Sequence, residues 1–339
     1  MLVYLVRRLL AMLPTLFGIT LASFVIINLA PGSPVEQRLQ AIRMGGAMGG
    51  SGGRGESGVS KEVVEALKRQ YGLDKPLHVR YAIWIKNIAT LDFGQSFTYE
   101  EPVVDVILGK MPVSLSFGIA SLFLTYLVSI PIGVAKAIGN GSRFDVVSSF
   151  LLFIMLSIVP VMLAVLCIVF LAGGSYLSWF PIGGLTSDAY DSLGLGGKIL
   201  DRAQHFALPL LCYTVGQFTF LTIMMKNSML DVIQLDYVRT ARAKGLAEKV
   251  VYMKHAMRNA LIPIVTGLSG ILSVFFAGSI ILESVFQLDG MGKLSLQAIS
   301  SRDYNLLMGL IFLESLMFLA GRLAVDFLYV AVDPRIDFA

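Results

Sequence analysis

Charge is scarce in this sequence. Only 15% of its 339 residues are Asp, Glu, Lys or Arg, against about 25% in an ordinary soluble domain, while 55% are hydrophobic and mean hydropathy is +0.74. A water-soluble chain of this composition would expose large apolar patches and aggregate, whereas a bilayer accepts such a surface as its exterior. An integral membrane protein is implied. Cysteine is nearly absent as well: Cys167 and Cys212 lie in apolar runs with no Cys or His at metal-ligand spacing, and they read as small hydrophobes. Basic runs interleaved with aromatics are missing, and 27 Lys+Arg against 23 Asp+Glu leave only +4, so nothing suggests nucleic-acid binding.

Catalytic and energy-coupling motifs are missing too. A P-loop would need Gly-x4-Gly-Lys-Ser/Thr to cradle nucleotide phosphates. The nearest stretches, Gly197-Lys198-Ile199 and Gly292-Lys293-Leu294, lack the hydroxyl residue and carry Ser192 and Gln287 where the first glycine belongs. His-Glu-x-x-His and clustered intramembrane carboxylates are also absent. The chain does not read as an enzyme. A proton- or sodium-coupled carrier would need titratable groups at membrane depth, and only the last apolar stretch supplies them. There, Arg322 and Asp326 sit four apart on one helical face, so a structural ion pair is expected, while Glu314 has no partner at helical spacing.

Long uncharged runs are plentiful. Residues 9–30, 111–135, 203–225, 259–282 and a span inside 146–172 carry no Asp, Glu, Lys or Arg and are long enough to cross a core of about 30 Å. Residues 306–330 form a sixth despite their three charges. Continuous rather than alternating apolar runs exclude a strand barrel, so the fold expected is all-α with six transmembrane helices. Pro14, Pro131, Pro160, Pro209 and Pro263 lie inside spans; they suit flexing helices, although proline is in any case commoner in membrane helices. The apolar run behind Arg7 and Arg8 exceeds a signal peptide's core and no Ala-x-Ala site follows, so it is expected to stay attached.

With the N-terminus inside, short cytoplasmic segments hold 12 Lys/Arg and short outer loops 4, namely Lys198, Arg202, Lys293 and Arg302. The positive-inside rule then places both termini in the cytoplasm. Residues 31–110 become an extracytoplasmic insertion. Its stretch 45–58 holds eight glycines in fourteen residues, a flexible loop by composition, and a helix is expected from Ser60 to about Gln70. This insertion reads as a partner-docking or gate-covering scoop before it reads as a small-molecule site.

The most informative stretch is the cytoplasmic loop 226–258, with 7 Lys/Arg against Asp231, Asp236 and Glu248. Residues 236–244 predict a short helix that opens at Asp236 and ends at Gly245, the residue suited to a left-handed C′ position. A second helix is expected from about Ala247 through His255. A short cationic helix turned back by glycine, with Ala241 and Ala243 as a small-residue face, has the form of a docking element.

Tyr237-Val238-Arg239-Thr240-Ala241-Arg242-Ala243-Lys244-Gly245-Leu246, followed by Lys254-His255-Ala256-Met257-Arg258-Asn259-Ala260 and Pro263, resembles the EAA loop of ABC importer permeases of the dipeptide/oligopeptide/nickel family. Further similar stretches are Arg7-Arg8-Leu9-Leu10 with Pro14-Thr15-Leu16, Ala30-Pro31-Gly32-Ser33-Pro34, Tyr71-Gly72-Leu73-Asp74-Lys75-Pro76-Leu77 and Asp92-Phe93-Gly94-Gln95-Ser96. Towards the end stand Glu283-Ser284-Val285-Phe286, Ser301-Arg302-Asp303-Tyr304 and Asp333-Pro334-Arg335-Ile336-Asp337. The glycine-rich insertion is similar to the branch that imports oligopeptides and microcin C. Departures are Ala247 where Ser is usual, Asp289-Gly290 for Pro-Gly, and Arg322 where Asn is common.

The resemblance implies a type I importer permease, multi-pass in the bacterial inner membrane, that forms half of a translocation pathway for peptides or peptide-like compounds. It implies a second permease subunit, expected to be a different chain, cytoplasmic ATPase subunits carrying ATP and Mg, and an extracytoplasmic substrate-binding protein. No cofactor is expected in this chain. Residues Tyr237, Arg239, Thr240, Ala241, Arg242, Ala243, Lys244, Gly245 and His255 are those expected to couple to the ATPase. A non-transporting membrane scaffold or receptor with a basic docking loop is the alternative; it accounts for the absent motifs but not for the separated matches.

Overall fold

A computed structural model describes residues 2–29, 75–172 and 176–332. Its elements are almost wholly helical: α1 (Leu2–Leu29), α2 (Leu77–Ala89), α3 (Val103–Ile138), α4 (Arg143–Ser157), α5 (Pro160–Cys167), α6 (Leu195–Ile233), α7 (Asp236–Ala243), α8 (Glu248–Val250), α9 (Met257–Ala277), α10 (Ile280–Val285), α11 (Met291–Ser300) and α12 (Tyr304–Val332). An isolated bridge between Gln95 and Pro102 is the only β pairing among the described residues. The flexible loop 45–58 and the helix 60–70 expected from the sequence lie outside the described residues.

Among the described residues, four of these helices are long and apolar enough to cross a membrane, over Leu5–Leu29, Val103–Ile138, Leu195–Ile233 and Tyr304–Phe327, and one bent pair of shorter helices has the apolar length of a broken span or a re-entrant loop. The expected third span is not one rod. Arg143–Ser157 and Pro160–Ala172 meet at 94°, because a residue before proline is pushed out of the helical region; Val159 stands at φ −65°, ψ 135° and Pro160 opens the next helix. Ser142 caps α4 by accepting the Asp145 amide at 3.3 Å. The expected span 259–282 falls on the 21-residue α9, which stops short at Gly278 with φ +72°, a conformation glycine adopts without strain. Leu282 therefore belongs to the separate α10.

The contacts divide the chain into two compact units. One comprises residues 1–8, 110–293 and 317–339. Within it α3 and α6 pack so closely that a Cβ on Gly133 would lie 2.6 Å from Met225 Cβ. An apolar cluster centred on Met225, Met229, Val238, Val251, Ala260 and Ile264, each entirely buried, joins helices 3, 6, 7 and 9. A second cluster stacks Phe117 on Phe206 at 4.1 Å and buries Tyr213, Leu282 and Phe286 around them.

The other unit comprises residues 9–109 and 294–316. Tyr81 of α2 anchors to α1: its hydroxyl donates to the Phe17 carbonyl at 3.3 Å and lies 3.1 Å from Thr20 Oγ1, and its ring packs on Phe24 and Trp84. Two stretches of the family resemblance, 92–96 and 301–304, meet here across 207 positions. Asp303, entirely buried, accepts Ser96 Oγ at 2.6 Å, the Thr98 amide at 3.0 Å and the Leu306 amide at 3.1 Å, so it caps α12 while holding the loop that precedes α3.

Candidate functional site

The loop 226–258 begins as the end of α6. Leu235 is extended and starts α7 with no side-chain cap; Asp236 sits in the first turn, where its carboxylate favours the helix dipole, and Arg239 lies 3.6 Å from it. Gly245 has φ +76°, the left-handed C′ conformation expected of it, and its amide donates to the Arg242 carbonyl at 2.9 Å.

Burial gives α7 two different faces. Val238 is 0% and Ala241 7% exposed; three residues apart, they share the inward side and enter the cluster formed with Val134 and Ala137 of α3, Met229 and Val232 of α6, and Ala260 of α9. Tyr237, Arg239, Thr240, Ala243, Lys244 and Gly245 are exposed. The predicted small-residue face is corrected accordingly: Ala243, two positions from Ala241, is turned about 200° away and faces outward.

Polar contacts tie α7 to the returning chain. Arg242 Nε donates to Glu248 Oε1 at 3.0 Å and its Nη2 to the Tyr252 hydroxyl at 3.1 Å, with the guanidinium over the Tyr252 ring at 5.4 Å. Burial opposes the Arg242 charge, but the hydrogen bonds to Tyr252 and Glu248 outweigh it and hold the group above its ordinary pKa. The Tyr237 hydroxyl donates to the His255 carbonyl at 3.4 Å and accepts from Asn259 Nδ2 at 2.8 Å. His255 thus contributes its backbone to the contact with Tyr237. The return itself is continuous: α8, a π-helical turn Val251–Ala256 and α9 follow one another.

Sequence reasoning missed four contributors: Val238, Glu248, Tyr252 and Asn259. Only Val238 left a signal, through its three-residue spacing from Ala241. Ala247 starts α8 with no side-chain cap. Ala247→Ser is expected to stabilise this end of the loop by about 1 kcal/mol, measurable as slower amide exchange at Lys249 to Val251.

One carboxylate holds two ammonium groups where α3, α4 and α6 converge. Lys226 Nζ donates to Asp145 Oδ1 and Oδ2 at 2.7 and 2.8 Å. Lys136, whose side chain is 1% exposed, lies 3.2 Å from Asp145 Oδ1 and donates to the Asp145 carbonyl, Ser148 Oγ and Ser149 Oγ. Two of the loop-side charges that set the orientation reading are therefore fixed in one network.

The expected pair between Arg322 and Asp326 is not formed. Asp326 Oδ2 instead lies 2.8 Å from both Nε and Nη2 of Arg8, while Arg322 is exposed. A guanidinium arriving from α1 can present two N–H groups to one carboxylate, a geometry a neighbour on the same helix did not reach. Glu314 is half-buried and makes no hydrogen bond or ion pair among the described residues. Among those residues, too, no group of three His, Cys, Asp or Glu side chains could hold a metal ion.

Comparison with known proteins gives this geometry a setting. Residues 129–338 match the family described as "Binding-protein-dependent transport system inner membrane component". The peptidoglycan transport system permease protein YejB of Agrobacterium fabrum is 40% identical, covering 99% of this chain and 98% of its own length. The inner membrane ABC transporter permease protein YejB of Escherichia coli O157:H7 is 41% identical with the same coverage, and the oligopeptide transport system permease protein AppB of Bacillus subtilis is 34% identical over 99% of both chains. Among solved structures, a chain of the MetNI methionine ABC transporter in an inward-facing conformation has a TM-score of 0.52 at 18% identity, covering 68% of this chain and 97% of that one.

Proposed function

The chain belongs to the binding-protein-dependent transport system inner membrane component family, and on that premise we propose that it is a permease subunit of an ATP-driven importer for peptides or peptide-like compounds. It forms half of the pathway, in a bacterial inner membrane, with both termini in the cytoplasm. A second permease, a different chain, completes the pathway; an extracytoplasmic binding protein delivers cargo, and cytoplasmic ATPase subunits with ATP and Mg supply the energy. Relatives named for oligopeptide and peptidoglycan transport support the cargo class, and the excess of Lys/Arg in segments 1–8, 136–145 and 226–258 supports the orientation.

The observation that carries the mechanism is the pairing of an exposed basic face on α7 with a buried anchor. Tyr237, Arg239, Thr240, Ala243 and Lys244 are available to a partner, while Val238 and Ala241 are locked among the helices that cross the membrane. A force applied to the outer face is therefore transmitted to α3, α6 and α9 rather than absorbed by a loose loop. Closure of the ATPase subunits around nucleotide then biases a bistable pathway between outward- and inward-facing states, by the difference in affinity for the two.

The test replaces Arg239 to Lys244 with a Gly/Ser linker in the complete transporter and follows ATPase co-purification and cargo uptake. Both are expected to fall to background while membrane insertion persists. Undiminished co-purification with normal uptake would remove α7 as the coupling element.

A further inference from the structure

On α6, Gly216, Phe220, Ile223, Asn227 and Asp231 recur at intervals of three and four and so share one face. Gly216 opens onto free space, Phe220 is 61% exposed, and Asn227 and Asp231 are exposed. This face borders a groove of about 530 Å³ whose walls include Phe220, Met224, Asn227 and Asp231 of α6, Leu156 of α4 and Pro263 of α9. Ser228 also lines it and donates to the Ala260 carbonyl at 2.8 Å.

The groove changes character along its length. Phe220 and Met224 lie within the apolar stretch that crosses the membrane; Asn227 and Asp231 stand where α6 leaves it. Neither the Asn227 amide nor the Asp231 carboxylate makes a hydrogen bond or ion pair among the described residues, although the stretch that follows Asp231 carries six of the loop's seven Lys/Arg. An amide and a free carboxylate next to an apolar wall suit neither lipid tails nor a second apolar helix. They match a polar, cation-bearing chain with apolar side groups.

Resting on the peptide-importer reading, we propose that this groove is a cargo subsite in which Asp231 receives cationic side chains, Asn227 the peptide backbone, and Phe220 and Met224 apolar side chains. Asp231 then favours lysine- or arginine-containing cargo as it passes this end of α6.

The test compares two tripeptides that differ only in carrying lysine or norleucine at the central position, taken up by the complete transporter. Because the binding protein is unchanged, a shift in the ratio of the two uptake rates reports on this chain. Asp231→Asn is expected to lower the lysine-to-norleucine ratio about fivefold, the order of an ion pair partly screened by water, and Asp231→Glu to preserve it. An unchanged ratio in Asp231→Asn, including equal loss of both rates, would overturn the subsite by assigning Asp231 to folding or coupling. Wild-type uptake of neither peptide would overturn the importer reading, and the subsite with it.

Discussion

Asp145→Ala is expected to destabilise the protein by about 3–5 kcal/mol, the usual consequence of leaving a buried charge without its partner. The substitution removes the counter-charge of both Lys136 and Lys226. Lys136 suffers more, since its side chain is 1% exposed against 17% for Lys226, which can reach water. The Gly141 amide also loses its acceptor. Cys167 and Cys212, both buried, provide the measurement: labelling by a thiol-reactive dye on heating in detergent should begin about 5–10 °C lower than in the wild type. Adding Lys136→Met should recover much of the loss, because it removes the ammonium least able to find water. An unchanged labelling midpoint in the single variant would show that the cluster does not hold α3, α4 and α6 together.

Glu283→Ala should have an effect of similar size in a different place. The Glu283 carboxylate is entirely buried, accepting Ser114 Oγ at 2.7 Å, the Lys293 amide at 2.9 Å, the Ser279 amide at 3.3 Å and the Tyr213 hydroxyl at 3.4 Å. It links α3, α6 and α10 to the first turn of α11. Burial holds its pKa above the ordinary carboxylate range, and the donors from Lys293, Ser114 and Ser279 offset only part of that rise. The backbone is fitted around it: a Cβ on Gly278 or Gly290 would collide with the carboxyl group. Alanine leaves the donors without an acceptor, at about 1–3 kcal/mol each where water cannot enter, so a net cost of at least about 3 kcal/mol is expected. Uptake should be lost even where ATPase co-purification survives, since the coupling loop is untouched. Glu283→Gln keeps the volume and one acceptor oxygen and should retain part of both stability and uptake. Normal uptake and an unchanged thiol-labelling midpoint in Glu283→Ala would refute this account.

The coupling loop shows how far local rules reach. The turn at Gly245 and the acidic start of α7 were legible because each depends on residues within one helical turn. Ala241 and Ala243 were read as one small-residue face because smallness was weighed without the 100° step between residues. Val238, part of the quoted motif but given no role there, turned out to be the fully buried anchor. The contacts of Glu248, Tyr252 and Asn259 with Arg242 and Tyr237 left no signal, because they depend on how the chain returns after the turn.

Hydropathy and run length by themselves determined that this is an all-α membrane protein, because a bilayer demands about 20 apolar residues and internal backbone pairing wherever a chain crosses it. The resemblance of its separated motifs, above all 237–246, to those of importer permeases pointed to that family. Tertiary structure alone decided which charges meet: Asp326 with Arg8 instead of Arg322, Asp145 with two lysines, Ser96 with Asp303 across 207 positions. The 94° bend at Val159–Pro160 is by contrast local, the effect of proline on the residue before it. The reason is range. Hydropathy and turn chemistry act between neighbours along the chain, whereas the choice of a buried partner depends on which helix is brought alongside, and that is set by the packing of the whole unit.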